Sequence, residues 1–209
     1  MADEKSPTAM VIGETVVRAA VAILVPFGGA AVVVYDAIRG HMATQGQLTI
    51  EEITEQVGAE RLAERIIDSP EFAALAVNAL DTALRTGFEA KRKLLSQVVA
   101  NAALDDAKVD EGSLLTAALR DLDAPHIRCL QRLRIAVDAI PTDTPTHELN
   151  RVLNEAAHAA TANEPEPVRA ALLRTAVGIG PSGLTFSARG AELGNITNFG
   201  RRLLDELNE

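Results

Sequence analysis

Two histidine-centred pairs are the residues in this sequence whose types and spacing come closest to a metal or catalytic site. His126 and Cys129 lie three positions apart, and His147 and His158 lie eleven apart, so each pair can share one face of a helix. Each pair offers two ligands, whereas a zinc site needs three or four. Cys129 is the only cysteine and falls on the apolar face of a predicted helix, a setting that disfavours a reactive thiolate. We therefore expect no metal site and a buried, structural Cys129.

A second candidate is the glycine pattern Gly178-Ile179-Gly180-Pro181-Ser182-Gly183, which matches the dinucleotide fingerprint G-x-G-x-x-G. That fingerprint needs a strand before it and a helix after it, so that the pyrophosphate meets a helix N-terminus. Here a predicted helix comes first and a predicted strand follows, so we interpret residues 178–183 as a turn. The sequence also contains no G-x-x-x-x-G-K-[ST] motif and no serine in a nucleophile-elbow context. It predicts a protein that is not an enzyme, with no cofactor and no evident small-molecule substrate.

The elements that must position any site are predicted to be helical. Of 209 residues, 47% are hydrophobic and only 3% aromatic, and the apolar residues are mostly Ala, Leu and Val, of which Ala and Leu are strong helix formers. The net charge is −9, with eleven Lys and Arg against nineteen Asp and Glu in residues 1–123, and nine against ten in residues 124–209. Neither part is basic, which disfavours tight nucleic-acid binding.

The most apolar stretch is Ala19–Tyr35, which has no charged residue and is interrupted by Pro26, Gly28 and Gly29. We expect two short helices here, Thr15–Val25 and Ala30–Arg39, the second ending at Gly40. Each would be roughly 15 Å long, too short to cross a bilayer core of ~30 Å. The hairpin is predicted to be buried or to form an oligomer interface, with shallow insertion into lipid as the alternative. Its candidate membrane or partner residues are Ile23, Leu24, Val25, Pro26, Phe27, Gly28, Gly29, Val33 and Tyr35.

The following segment is predicted to contain a polar loop at Thr44–Gln47, a capping box formed by Thr49 and Glu52, and a helix that starts at Ser69-Pro70-Glu71 and runs to Gly87. The further predicted elements are a helix at Phe88–Leu104, an acidic loop at Asp105–Gly112 and a helix at Ser113–Leu122. The candidate basic patch is Lys91, Arg92 and Lys93. We expect it to be a solvated helical turn paired with Glu89, because a lipid-headgroup site would need more cations.

The charge balance changes at Asp123-Ala124-Pro125, where we place a domain boundary. Helices are predicted at Pro125–Ala139, Thr146–Ala160 and Pro167–Val177, then strands at Leu184–Ala188 and Leu193–Thr197, and a closing helix at Phe199–Leu207. The predicted fold is all-α with one small β-hairpin. It comprises a flexible start at residues 1–13, a helical domain at 14–123 that opens with the apolar hairpin, and a winged-helix-like domain at 124–209.

A winged helix suggests DNA, and the candidate contacts are Arg169, Arg174, Arg189, Arg201 and Arg202. The third predicted helix begins beside Glu164 and Glu166, whose carboxylates would be repelled by phosphates, and no Asn, Gln or Lys lies within it to read base edges. DNA binding is therefore the alternative interpretation, and a protein partner is preferred.

Two segments carry a resemblance to known families. Asn195–Leu204, NITNFGRRLL, resembles the end of many bacterial winged-helix domains, although Asn195-Ile196-Thr197 replaces the usual leucine before threonine. Glu89–Ala102, EAKRKLLSQVVANA, resembles a segment of helical bacterial proteins that include the Abi-alpha abortive-infection family. The latter resemblance implies a role in phage defence or host–phage interaction, with the membrane as one location, and supplies no catalytic residues.

Taken together, these features predict a non-enzymatic interaction protein that acts through a protein partner or a homo-oligomer. The first alternative is a transcriptional regulator that binds DNA through residues 124–209, and the second is a membrane-permeabilising effector. The first ten residues carry Asp3, Glu4 and Lys5, unlike the basic start of a secretory signal, so we expect a cytoplasmic protein. Association with a membrane through residues 16–39 remains an open alternative.

Overall fold

The computed structural model describes residues 29–181 and 191–208, and these residues are mostly helical. Within them, the nine α-helices are α1 (Gly29–Val57), α2 (Ala59–Asp68), α3 (Pro70–Arg85), α4 (Glu89–Leu104), α5 (Val109–Asp121), α6 (Ala124–Asp138), α7 (Thr146–Thr161), α8 (Glu166–Arg174) and α9 (Asn198–Asn208). A 3₁₀ turn, Asp106–Lys108, precedes α5. Strands β1 (Gly178–Ile179) and β2 (Asn195–Ile196) pair antiparallel, with Gly178 opposite Ile196. A mostly helical chain with a two-stranded pair is thus confirmed.

Two compact units divide the chain, residues 1–48 and residues 49–209, and the division falls inside α1. Within residues 49–209, one cluster of buried apolar side chains includes Leu95 and Leu119 as well as Leu130 and Leu204. This cluster therefore draws on both sides of the boundary predicted at 123/124, and a division there stays a prediction. Residues 1–13, the first helix of the apolar hairpin and the predicted strand 184–188 lie outside the described residues.

Three predictions are wrong because helix α1 is longer than expected. It runs for 29 residues through Gly40, through the loop predicted at 44–47 and through the capping box predicted at Thr49. A single glycine costs a helix only about 1 kcal/mol, so Gly40 does not end it. The hydroxyl of Thr44 donates to the carbonyl oxygen of Gly40 at 2.9 Å, a bond along the helix and not a turn. The helix ends before Gly58, whose φ of 86° lies in the left-handed region that favours glycine.

Helix α3 confirms the start predicted from Ser69-Pro70-Glu71. The hydroxyl oxygen of Ser69 accepts from the backbone N–H of Phe72 at 3.2 Å, and Pro70 occupies the first turn, where a missing N–H costs nothing. The later helices also form, with bounds that differ by a few residues from those predicted. The largest difference is α5, which begins at Val109 inside the predicted acidic loop, because Asp105 caps the 3₁₀ turn that leads into it.

The first strand lies where a turn was predicted. Gly178 and Ile179 pair with β2, although residues 178–183 were interpreted as a turn. A Cβ on Gly178 would lie 2.5 Å from Cδ2 of Leu193, so a side chain there would displace the leucine that packs against the strand. Strand β2 lies within the predicted segment Leu193–Thr197, which confirms that part of the hairpin.

Helix α4 occupies the centre of the unit formed by residues 49–209. It packs against α2, α3, α5 and α9, and α9 also packs against α6. Ten of its sixteen residues are buried, among them two cations, so apolar and polar side chains alike face neighbouring helices. A helix enclosed in this way has no single apolar stripe. Its remaining exposed surface is therefore narrow, and it forms part of the groove described below.

Candidate interaction groove

Cys129 is fully buried in α6, as predicted. Burial raises the pKa of its thiol to about 11, and the nearby carboxylate of Glu164 acts in the same direction. The thiol therefore keeps its proton at neutral pH. Because the thiolate is the nucleophile and the metal ligand, Cys129 in this position is a structural side chain.

The histidines occupy separate places. His126 accepts a hydrogen bond through Nδ1 from the backbone N–H of Asp123 at 2.9 Å, which completes a capping box at the start of α6. His147 is exposed and lies 3.6 Å from Glu148, and His158 is exposed near the end of α7. Among the described residues, no group of three or more His, Cys, Asp or Glu side chains is arranged to hold a metal ion.

Arg169, the first of the candidate DNA contacts, is turned towards backbone carbonyl groups. Its Nε donates to the carbonyl oxygen of Ala191 at 2.7 Å, and its Nη1 donates to the carbonyl oxygens of Thr161, at 3.4 Å, and Glu164. These bonds connect α8 to the end of α7 and to the segment before β2. Arg189 lies outside the described residues.

The other three candidate arginines form ion pairs between elements. Arg174 in α8 pairs with Asp121 of α5 at 3.3 Å, and Arg201 in α9 pairs with Asp138 of α6 at 2.6 Å. Arg202 in α9 pairs with Glu111 of α5. Each of the four candidate arginines that the structure describes therefore already has a carboxylate or carbonyl partner within the chain.

The basic patch was expected to be solvated, and this is wrong for two of its three residues. Lys93 is exposed and pairs with Glu89 at 2.9 Å, as predicted. Lys91 and Arg92 are buried, at 3% and 4% exposure. Lys91 reaches the junction of α5 and α6, where Nζ donates to the carbonyl oxygen of Leu122 at 2.7 Å and to Asp123 at 2.9 Å.

Arg92 extends to α1, where it meets the half-buried Glu52. Its Nη2 donates to Oε1 of Glu52 at 2.7 Å, and the hydroxyl of Ser96 donates to Oε2 at 2.8 Å. Burial alone would raise the pKa of Glu52, but these hydrogen bonds and the charge of Arg92 hold it below its ordinary value. Glu52 is therefore ionised beside the buried Arg92. The two buried cations attach the first turns of α4 to α1 and to the α5–α6 junction.

A continuous groove runs along the exposed side of α4. Two adjoining cavities of about 210 and 360 Å³ share Leu94, Gln97 and Glu206 in their linings, and we call the pair the α4–α9 groove. The α4 residues that line it recur at helical spacing, which places them on one face. They are Glu89, Ala90, Lys93, Leu94, Gln97, Val98 and Asn101. The opposite wall comes from α9, and one end is closed by α5.

The ionic groups of the groove are satisfied by one another. Lys108 and Arg202 both donate to Glu111, and their hydrogen bonds lower the pKa of that carboxyl group. Arg202 also lies 3.8 Å from Glu206. With Glu89 and Lys93 at the other end, the groove has three acidic and three basic side chains. It is therefore close to electrically neutral.

The floor of the groove is apolar and its wall carries two carboxamides. Leu94, Val98 and Leu115 are nearly fully buried beneath it. Gln97 and Asn101 are exposed, one helical turn apart, and neither side chain forms a hydrogen bond within the described part of the chain. An apolar floor with hydrogen-bonding groups beside it is typical of a surface that binds another molecule.

Sequence reasoning missed this groove and the Glu52–Arg92–Ser96 cluster. A signal for the groove was present, because Gln97 and Asn101 are uncharged polar residues one turn apart that flank the apolar residues Val98, Val99 and Ala100. No such signal exists for the cluster, since Glu52 and Ser96 are 44 positions apart and meet only after α1 packs on α4.

The candidate membrane or partner segment, residues 23–35, lies outside the described residues as far as position 28, and its last part, Gly29 to Tyr35, belongs to α1. Over the parts of the chain that are described, none of the helices combines the length and apolar character needed to cross a membrane.

Comparison of the chain with models of protein families, with curated proteins and with solved structures finds no match.

Proposed function

We propose that this chain is a non-enzymatic interaction protein and that a protein partner binds in the α4–α9 groove. The observation that carries the proposal is the groove itself, which combines a buried apolar floor with two carboxamides that have no partner within the described chain. Specific binding needs both features, because apolar burial supplies most of the affinity and polar groups fix the orientation of the partner.

The two buried cations of α4 support this proposal. Lys91 and Arg92 attach its first turns to the α5–α6 junction and to α1, so the groove wall is held in place before any partner arrives. A preformed surface loses less conformational entropy on binding than a flexible one, and binds more tightly for the same contacts. The resemblance of residues 89–102 to Abi-alpha proteins covers this same helix, and on that ground we propose phage defence as the setting of the interaction.

The test is site-specific photocrosslinking in cells that produce the full chain. We expect a photoreactive residue at position 208, an exposed position of α9 that lines the groove, to give one discrete adduct with a partner that mass spectrometry identifies. Gln97→Trp, which fills the groove from an exposed position, should abolish the adduct and any protection against phage. Asn150→Trp, an equally exposed position on α7, is the matched control and should leave both unchanged. Adducts that persist in Gln97→Trp would exclude the groove as the binding site.

DNA binding through a winged helix is the second candidate. It is supported by the order of elements after residue 123, namely three helices, an antiparallel strand pair and a closing helix, which is the order of a winged-helix domain. Surface ion pairs contribute only about 0–1 kcal/mol, so Arg201 and Arg202 can exchange their carboxylates for phosphates.

A gel shift with the full chain tests this second candidate. If DNA binds, the affinity falls steeply with salt, and Arg201→Ala/Arg202→Ala reduces the salt slope by about 1–2. If no complex forms at low salt, the DNA-binding hypothesis is excluded and the groove proposal is unaffected.

A further inference from the structure

We infer that the α4–α9 groove binds an extended, uncharged peptide segment of about five residues whose alternate side chains are apolar. This inference rests on the proposed function, since it specifies what the partner presents to the groove. It follows from the spacing of the lining residues, from the chemistry of the two carboxamides and from the charge balance of the rim.

The spacing along α4 matches the repeat of an extended chain. Gln97 and Asn101 are four residues apart, as are Leu94 and Val98, which corresponds to a rise of about 6 Å in an α-helix. Alternate residues of an extended strand are about 6.6–6.8 Å apart and point to the same side. A strand lying along α4 would therefore place successive inward side chains over Leu94 and Val98.

The carboxamides match what such a strand exposes. Each side-chain amide of Gln97 and Asn101 offers both a donor and an acceptor, and so does each residue of a peptide backbone. Because both amides are without a partner within the described residues, pairing with the peptide breaks no hydrogen bond inside the chain. A helical ligand would not use them, because its backbone groups are already paired internally.

The rim carries no net charge. Glu111 pairs with Lys108 and Arg202, and Glu89 pairs with Lys93, so the groove offers a charged ligand no net attraction that would offset the desolvation of its charge. An uncharged segment leaves these pairs intact and needs no counter-ion. Charge complementarity therefore favours a neutral peptide over an acidic or a basic one.

The length of the groove sets the length of the segment. From Glu89 to Asn101 the lining spans twelve residue steps of α4, or about 18 Å. At about 3.4 Å per residue, that distance holds about five residues of an extended chain.

Nuclear magnetic resonance of the full chain provides the test, with the acetylated and amidated pentapeptide VTVTV as the probe. We expect the side-chain amide signals of Gln97 and Asn101 to shift, with a dissociation constant on the order of 1 mM, as befits so small a ligand. Gln97→Ala/Asn101→Ala should weaken binding at least tenfold. Gln56→Ala/Asn150→Ala removes two exposed carboxamides from other helices and should leave binding unchanged. Circular dichroism confirms that both variants fold.

Two further peptides make the outcome decisive. ETETE, in which the apolar residues are acidic, and VVTTV, which loses the alternation, should both bind at least tenfold more weakly than VTVTV. Equal binding of all three, or no shift of Gln97 and Asn101 with VTVTV at about 10 mM, would overturn the inference. A crosslinked partner at position 208 without peptide binding would keep the proposed function and remove this inference. Peptide binding without a crosslinked partner would support the inference and count against the proposed function.

Discussion

The ammonium nitrogen of Lys91 lies 2.7 Å from the backbone carbonyl oxygen of Leu122, the C-cap residue of α5. The last carbonyls of a helix have no partner within it and carry the negative end of its dipole, so a cation there is favourable. Both residues are buried, and the same ammonium also meets Asp123 at the start of α6. One side chain of α4 therefore satisfies the end of one helix and contacts the cap of the next.

Replacement of this lysine by methionine should destabilise the protein by about 2 kcal/mol. Lys91→Met keeps the apolar stem but leaves the buried carbonyl oxygen of Leu122 without a donor, and an unpaired buried acceptor costs about 1–3 kcal/mol. Urea denaturation of the full chain measures the change in the free energy of unfolding. Lys93→Met, on the same helix but exposed, is the control and should change it by no more than about 0.5 kcal/mol. Equal effects of the two substitutions would mean that the buried bond contributes nothing.

The contrast between Lys91 and Lys93 also shows how far sequence reasoning reaches. The helix that contains them was predicted nearly to the residue, as Phe88–Leu104, because its apolar periodicity is a local signal. Which of three consecutive cations is buried depends on the packing of α4, and the partners of Lys91 and Arg92 come from the α5–α6 junction and from α1. Distant packing is absent from a local pattern, so two of the three cations were placed wrongly.

Residues outside α4 show the same limit. Gly40 and Thr49 were interpreted as the end and the start of helices because their types favour caps, yet α1 passes through both. The low helix propensity of such residues costs at most about 1 kcal/mol each, which the other interactions of a 29-residue helix easily outweigh. Local sequence signals could indicate only the α4 side of the groove. The second wall is α9, about 100 positions further along the chain, and its position beside α4 depends on the tertiary fold.

Protonation of Glu52 should lower the stability of the protein in acid. Its folded pKa lies below the ordinary value of 4.5, because the hydrogen bonds from Arg92 and Ser96 outweigh the effect of burial. A depressed carboxylate pKa stabilises the folded state above the unfolded pKa, and this contribution is lost as the pH falls through the folded pKa. At pH 7 the free energy of unfolding of the unmodified protein should therefore exceed that of Glu52→Gln by about 2 kcal/mol. This difference between the two proteins should narrow progressively below about pH 4.5.

The matched control for this titration is Glu55→Gln, which removes an exposed carboxylate from the same helix. Its difference from the unmodified protein should stay within about 0.5 kcal/mol at every pH. If the gap for Glu52→Gln is the same at pH 3.5 as at pH 7, the Glu52–Arg92 pair does not contribute through ionisation.

Gly200 should not tolerate a side chain. A Cβ at this position would lie 2.2 Å from the carbonyl oxygen of Val177 and 3.0 Å from Cγ1 of Ile196, so α9 cannot approach the strand pair without a glycine. We expect Gly200→Ala to destabilise the protein by about 3 kcal/mol, measured by urea denaturation. Gly87→Ala has no atom within 4 Å of the new Cβ and should have little effect or stabilise by up to about 1 kcal/mol. Similar stabilities for the two variants would show that the contact of α9 with Val177 is looser than described.

The thiol of Cys129 should be inert in the folded protein. Burial raises its pKa to about 11, so at pH 8 only about one thiol in a thousand is ionised, and the side chain is also closed to solvent. A thiol-specific disulfide reagent should therefore give no colour with the native chain at pH 8 and one equivalent after denaturation in urea, since the sequence has a single cysteine. Addition of the reagent at increasing urea concentrations should report the global unfolding transition, because the helix that carries Cys129 must open to admit it. Rapid, stoichiometric reaction with the native protein would instead place Cys129 at an accessible surface. Cys129 and His126 would then again be candidates for a reactive pair.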